Sequence, residues 1–255
     1  MTLRFHTEGR GPDLVLLHGW GMNATVWQAL SADLARDYCV HAVEMPGYGV
    51  AADDCAGNRA AAVDALAAAL PPQALVCGWS LGGQLALDWA QRYPRQVRRL
   101  VLLATTPRFV SGAGWSHGMA AADFEEFEAD LAASPSRARL RFLTLQANGD
   151  AAAREVLRDL RLAVGRGGEP VADALAAGLR MLRDTDLRDL LPQIAQPVLV
   201  MHGVNDALIP HAAGEYLAQA LPQAAIESVP AAAHALFATR EAQVARRIRA
   251  FDGRH

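Results

Sequence analysis

The chain has 255 residues and a mass of 27.2 kDa, long enough for one large domain or two small ones. Hydrophobic residues make up 52% and charged residues 20%, which excludes wholesale disorder, and a net charge of −3 argues against a chain-wide nucleic-acid surface. No apolar run approaches the about 18 residues of a membrane span, and residues 1–6 lack a signal-peptide core, so a soluble, cytoplasmic, monomeric protein with no membrane or nucleic-acid partner is expected.

Residues 3–6 read as an opening strand. Residues 14–17 form a continuous apolar run, the pattern of a strand buried on both faces. Helical spacing covers 26–34. A strand over 39–43 runs to the turn Pro46-Gly47-Tyr48-Gly49. The helix predicted over 60–70 stops at Pro71-Pro72. A strand over 75–77, a helix over 81–93 and a strand over 100–103 follow. This β-α-β-α order predicts an α/β fold with a mostly parallel central sheet flanked by helices on both faces. Between 111 and 184 strand signals vanish. Phe124, Phe127 and Leu131 share one helical face, and further helices are predicted over 140–145, 156–162 and 175–182. The rhythm then resumes with a strand over 198–201, a helix over 212–221, a strand over 226–229 and a closing helix over 241–251. One α/β core, residues 1–110 and 185–255, is expected to carry an all-helical cap over 111–184.

Every basic residue is Arg, so Lys nucleophiles and Schiff bases drop out of the possible mechanisms. Cys39, Cys55 and Cys77 lack metal spacing and, being odd in number, suggest no disulfide framework. Cys77 lies in an apolar run and reads as a small buried residue.

Gly78-Trp79-Ser80-Leu81-Gly82 matches the G-x-S-x-G nucleophile elbow, and its context agrees, with an apolar strand before it and a helix after it. Such a turn strains Ser80 and exposes its hydroxyl, while the flanking glycines relieve the crowding. A serine needs a base. Of the eight histidines, His234 is chosen, because its small-residue loop Ala231-Ala232-Ala233-His234-Ala235 lies between the last strand and the last helix. His6 and His41 fall in early strands, His117 in the insertion, His211 at a helix start and His255 at the end. His202 precedes its acid in the wrong order. The acid is Asp206, in His202-Gly203-Val204-Asn205-Asp206, which gives the chain order Ser, Asp, His. Asp184, Asp186 and Asp189 are weaker rivals because they precede the strand. His18-Gly19-Trp20-Gly21 follows the first core strand, and the backbone N–H groups of Trp20 and Leu81 are expected to form the oxyanion hole. His18 is read as structural. A phosphate-binding role for this loop is disfavoured, since no Gly-Lys-Ser/Thr follows and the third glycine of a dinucleotide fingerprint is missing.

These residues resemble the α/β-hydrolase superfamily over nearly the full chain. More narrowly, the sequence is similar to the pimeloyl-[acyl-carrier protein] methyl ester carboxylesterases of biotin synthesis. The resemblance rests on Leu16-Leu17-His18-Gly19-Trp20-Gly21-Met22-Asn23 with Trp27, on the elbow with Gly83, and on Arg141-Phe142-Leu143-Thr144-Leu145-Gln146. Asp184-Thr185-Asp186-Leu187-Arg188 and Ala232-Ala233-His234-Ala235 extend it. It implies a serine carboxylesterase that needs no metal or organic cofactor and cleaves the methyl ester of a pimeloyl group on acyl-carrier protein. It further implies substrate contacts from Trp20, Ser80, Leu81, Phe142, Leu143, Thr144, Leu145, Gln146 and His234. Arg137, Arg141, Arg154 and Arg158 would dock the acyl-carrier protein. Between 137 and 166 seven arginines face three acidic residues, a local charge of +4; a solvated, salt-bridged helix face would look the same. Two positions depart from the family pattern: Ala231 stands where Gly is usual, and Glu44 where Asp is usual. A broader short-acyl esterase, a carbon–carbon-bond hydrolase and a non-catalytic ligand-binding member of the fold remain the alternatives.

Overall fold

The computed structural model describes residues 3–46, 48, 58–168 and 170–254. Gly47 and Gly49 of the expected turn, Cys55 and His255 lie outside the described residues. The core opens with β1 (Arg4–Gly9), β2 (Asp13–Leu17), a short 3-10 turn (Ala24–Trp27), α1 (Gln28–Leu34) and β3 (Cys39–Glu44). It continues with α2 (Arg59–Ala69), β4 (Ala74–Trp79), α3 (Leu81–Arg92) and β5 (Val97–Leu103). Before the next strand come the α-helices α4 (Ala121–Ala133), α5 (Pro135–Ala147), α6 (Ala153–Gly167) and α7 (Ala172–Asp184), then a 3-10 helix (Arg188–Gln193). The chain closes with β6 (Val198–Gly203), α8 (His211–Ala220), β7 (Ala224–Val229) and α9 (Glu241–Phe251).

The strands form a seven-stranded sheet in the order β1-β3-β2-β4-β5-β6-β7. β1 runs antiparallel to β3, and every other neighbouring pair is parallel. β4, at the centre, is buried along its whole length. Strand periodicity then sorts side chains onto two cores. Val15, Leu17 and Val76 face one, while Leu14, Leu16, Leu75 and Cys77 face the other. The expected α/β architecture with helices on both faces is the one observed.

The chain leaves the core and returns to it at a single neck. Arg108 bridges Asp186 there, with an ion pair of 3.3 Å, and the Leu187 amide donates to the Pro107 carbonyl at 3.0 Å. The inserted helices rest on the loop after β2. Trp20 packs edge-on against Phe142 of α5 and Phe127 of α4, with ring centroids 4.8 and 5.4 Å away, and its indole N–H donates to the Leu175 carbonyl of α7 at 2.8 Å. Asn23 does two jobs in the same loop. Its side-chain oxygen caps the 3-10 turn by accepting from the Thr25 amide at 3.1 Å. Its amide group donates to the Ala163 and Gly168 carbonyls at the end of α6, both at 3.3 Å.

Asn23→Ala removes a cap and the side-chain donor to the Gly168 carbonyl, while Thr25 Oγ1 still donates to the Ala163 carbonyl at 2.6 Å. It is expected to cost about 2–3 kcal/mol, lowering the Tm by several degrees. Asn23→Asp should not restore it, because a carboxylate would face those carbonyls. Thermal unfolding of both variants checks this.

Candidate active site

Ser80 sits between β4 and α3 with φ 56° and ψ −117°, a region that side chains rarely occupy. The turn is tight enough that its neighbours must be glycine. A Cβ on Gly82 would lie 2.3 Å from the Leu17 carbonyl oxygen, and one on Gly78 would lie 2.5 Å from the Gly82 oxygen. The Ser80 amide donates to the Leu103 carbonyl of β5 at 3.0 Å, which fixes the turn to the sheet. The reward for the strain is position. Ser80 stands at the N-terminus of a 12-residue helix, where unpaired amides and the helix dipole favour negative charge.

His234 and Asp206 reach the same edge of the sheet from the loops after β7 and β6. His234 Nδ1 donates to Asp206 Oδ2 at 2.8 Å, and both side chains are fully buried. The other oxygen, Oδ1, accepts from the Leu208 and Ile209 amides, each at 2.9 Å. Burial on its own would raise the Asp206 pKa. The opposing interactions of His234 and His202 outweigh it and hold the carboxyl below the usual carboxylate range. A proton kept on Nδ1 leaves the lone pair on Nε2, which is buried and has no hydrogen-bond partner among the described residues. Trp79 supports the ring, with centroids 5.6 Å apart, and its indole N–H donates to the His234 carbonyl at 3.0 Å.

The Trp20 and Leu81 amides find no acceptor among the described residues, although both residues are about 1% exposed. A Cβ placed on Gly19 would sit 3.4 Å from that of Ser80, so this loop passes directly over the serine. His18 shapes the loop. Its Nδ1 donates to the Gly19 carbonyl at 2.9 Å and its Nε2 accepts from the Met45 amide at 3.1 Å. That pattern needs a neutral ring, so the nearby Glu44, at 3.6 Å, is a polar neighbour and not an ion-pair partner. Glu44 instead accepts from the Ala24 amide at 3.3 Å.

A family model for the alpha/beta hydrolase fold matches residues 12–241. The chain is 40% identical to the pimeloyl-[acyl-carrier protein] methyl ester esterase of Nitrosomonas europaea, covering 92% of this chain and 94% of the relative. It is 44% identical to the protein of the same name from Aromatoleum aromaticum, covering 89% and 92%. The chain belongs to this esterase family of the α/β-hydrolase fold. Among solved structures, an esterase from Exiguobacterium antarcticum is similar with a TM-score of 0.86 at 21% identity, covering 98% of this chain and 94% of that one. A bromoperoxidase from Bacillus anthracis reaches 0.84 at 20%, with the same coverage. At such identities the likeness shows the fold alone.

The segment that carried the family resemblance divides by helix phase. Phe142 and Gln146 point inward and are buried. Leu145 is half-buried, and Leu143 joins the core beneath α6 with Val156 and Leu160. Thr144 lies on the outer face, exposed, its hydroxyl donating to the Leu140 carbonyl at 3.0 Å; the structure does not bring it to the inner wall with Phe142. Gln146 is 1% exposed, and neither polar atom of its amide has a partner among the described residues. Its backbone carbonyl accepts from the Ala235 amide at 3.3 Å, so it lies beside the His234 loop. A small cavity of about 20 Å³ beside Leu81 is lined by Met45, Tyr48, Leu85, Gly178 and Met181.

Sequence reasoning passed over His202 except as a rejected base. The structure places its Nε2 3.4 Å from Asp206 Oδ2 and 2.9 Å from the Ile209 carbonyl, to which it donates. The i, i+4 separation was the available signal, but outside a helix that spacing carries no geometry. Asp13, Cys39 and His41 are a group of possible metal donors within 4.8 Å of one another. They stand at the start of β2 and β3, the opposite sheet edge from Ser80, and both His41 nitrogens are engaged by Thr7 and Asp13.

Asp206→Asn is expected to lower kcat by about 10⁴-fold. An amide can still accept from the backbone but no longer holds the proton on Nδ1. A carboxyl held below its unfolded value stabilises the fold at neutral pH, and that contribution fades as the pH falls through the folded value. The variant should therefore show a shallower loss of stability on acidification, read by denaturant titration at stepped pH.

Proposed function

We propose that this chain is a serine carboxylesterase that hydrolyses the methyl ester of a pimeloyl group carried on acyl-carrier protein, releasing methanol and a free carboxylate. One observation carries the chemistry: the buried 2.8 Å Asp206–His234 hydrogen bond, which leaves His234 Nε2 without a partner among the described residues at the sheet edge that holds Ser80. The substrate is taken from the names of the relatives at 40% and 44% identity.

The Ser80 hydroxyl attacks the ester carbonyl as His234 Nε2 takes its proton. Asp206 stabilises the imidazolium, and the Trp20 and Leu81 amides receive the negative oxygen. His234 then passes the proton to the methoxide, which leaves as methanol. Water, deprotonated by the same nitrogen, cleaves the acyl-enzyme and restores Ser80. The apolar wall of Trp20, Phe127 and Phe142 suits the methylene chain. The unpaired Gln146 amide offers a polar contact at the reacting end, where an unsatisfied buried group is otherwise costly.

Carrier docking is supported on the outer surface of the inserted helices. Arg137 and Arg154 are exposed and form no ion pair among the described residues. Arg158 pairs with its neighbour Asp159, at 3.0 Å. Arg154, Arg158 and Arg161 line a shallow depression with Leu157 and Leu162, and Leu162 is 49% exposed. A cationic rim around an exposed leucine suits an acidic partner with an apolar patch. Arg141 differs, since Glu126 and Asp130 of α4 already hold it.

Ser80→Ala should lose on the order of a million-fold in kcat while keeping the wild-type Tm, and a fluorophosphonate probe should label Ser80. An active Ser80→Ala enzyme would sink the mechanism. Arg137→Glu with Arg154→Glu should raise the KM for carrier-bound ester by about tenfold and leave a p-nitrophenyl ester untouched. Raising ionic strength should narrow the wild-type preference in the same direction. Equal effects on both substrates would place carrier recognition elsewhere.

A further inference from the structure

We infer that Asp150, clamped by Arg240, is a positioning residue that holds His234 in register from the turn between α5 and α6. The inference rests on the reading of His234 as the base.

The loop bearing His234 has little of its own to hold it. Residues 231–233 are alanines, and Ala231 adopts φ 55°, a strained conformation for a residue with a Cβ. Methyl groups cannot fix a backbone by packing alone, so hydrogen bonds must. Beside the Trp79 indole bond to the His234 carbonyl, the last turn of α5 and the α5–α6 turn supply them on both sides of His234. Asp150 Oδ2 accepts the Ala233 amide at 3.0 Å, on the residue just before the histidine. The Gln146 carbonyl accepts the Ala235 amide at 3.3 Å, on the residue just after it. The Ala151 amide donates to the strained Ala231 at 3.0 Å.

Arg240 completes the clamp. Its guanidinium grips Asp150 with two bonds, Nη1 to Oδ2 at 3.0 Å and Nη2 to Oδ1 at 3.3 Å. Nη2 also donates to the Ala231 carbonyl at 2.9 Å. The Asp150 carboxylate is 1% exposed, so its geometry is set by these partners and by the Ala152 amide at 2.8 Å. The same turn reaches the acid loop. Asn205, next to Asp206, donates its side-chain amide to the Gly149 carbonyl at 2.9 Å, and its backbone amide donates to Ala232 at 3.0 Å. The turn thus ties together the loops of the acid and the base. A base displaced by ~1 Å costs about a hundredfold in rate.

The test is steady-state kinetics on a p-nitrophenyl ester, with fluorophosphonate titration to count active sites. Asp150→Ala should lower kcat by about a hundredfold with KM little changed, and should slow labelling of Ser80 without reducing its final stoichiometry. Asp150→Asn, whose single side-chain oxygen can still accept the Ala233 amide while its NH2 group then faces the Ala152 and Arg240 donors, should recover only part of the rate. Arg240→Gln should give an intermediate loss, and it serves if Asp150→Ala does not fold. In a His234→Ala background Asp150→Ala should have no further effect, because it acts only through that ring. A lower Tm with unchanged kcat, or an equal loss in the His234→Ala background, would make the pair merely structural and overturn the inference. High activity in His234→Ala alone would instead overturn the assignment of the base.

Discussion

The strained backbone at Ser80 is the constraint on which the rest of the site depends. A residue at φ 56° between a strand and a helix stands clear of both, with its own hydroxyl free and the first amides of α3 beside it. That geometry is tolerated only because the surroundings over-determine it. Gly78 and Gly82 let β2, β4 and α3 approach to distances that a Cβ would forbid. The Ser80 amide is held by β5, and β4 is buried from end to end. The parallel sheet is therefore the device that keeps one serine in an otherwise unfavourable conformation.

The second requirement is a buried negative charge that stays charged. Asp206 is removed from water, which alone would favour its neutral form. His234 and His202 reverse that preference, and two backbone amides hold the other carboxylate oxygen. The cost of burying the carboxylate is met by donors that also aim it. His202 is one of the groups that keep the Asp206 carboxyl charged.

The inserted helices are fastened at two places with different chemistry. Near the oxyanion loop the contacts are aromatic and amide in character, through Trp20 and Asn23. Near the His234 loop they are backbone hydrogen bonds and a buried ion pair, through the α5–α6 turn. One anchor lies on the loop that passes over Ser80 and the other on the loop that bears His234, so the inner face of these helices is set from both sides by the α/β core. The outer face of these helices is free to carry charge, and there lie Arg137 and Arg154, which form no ion pair among the described residues.

The sequence by itself indicated each named strand and α-helix, because period-2 and period-3.6 patterns are written into neighbouring positions; α5 begins and α6 ends five residues outside the predicted spans, and no predicted span covers the 3-10 helix Arg188–Gln193. It also pointed to Ser80 through its glycines, and to Asp206 and His234 through chain order, since a local motif and a connection order survive without coordinates; the structure joins the latter two by a buried hydrogen bond of 2.8 Å. The turn around Gly47 and Gly49 lies outside the described residues. Only the tertiary structure decided which face of the Phe142 to Gln146 helix looks inward, and that Thr144 looks out. It alone showed that Arg141 is already engaged by α4, that His202 leans on Asp206, and that Ala231 takes a conformation usually left to glycine. Asp150 and Arg240, 90 residues apart, gave no signal in the sequence beyond their charge. The reason is physical: periodicity and turn chemistry act between near neighbours, whereas a hydrogen bond between distant loops exists only after packing has brought them together.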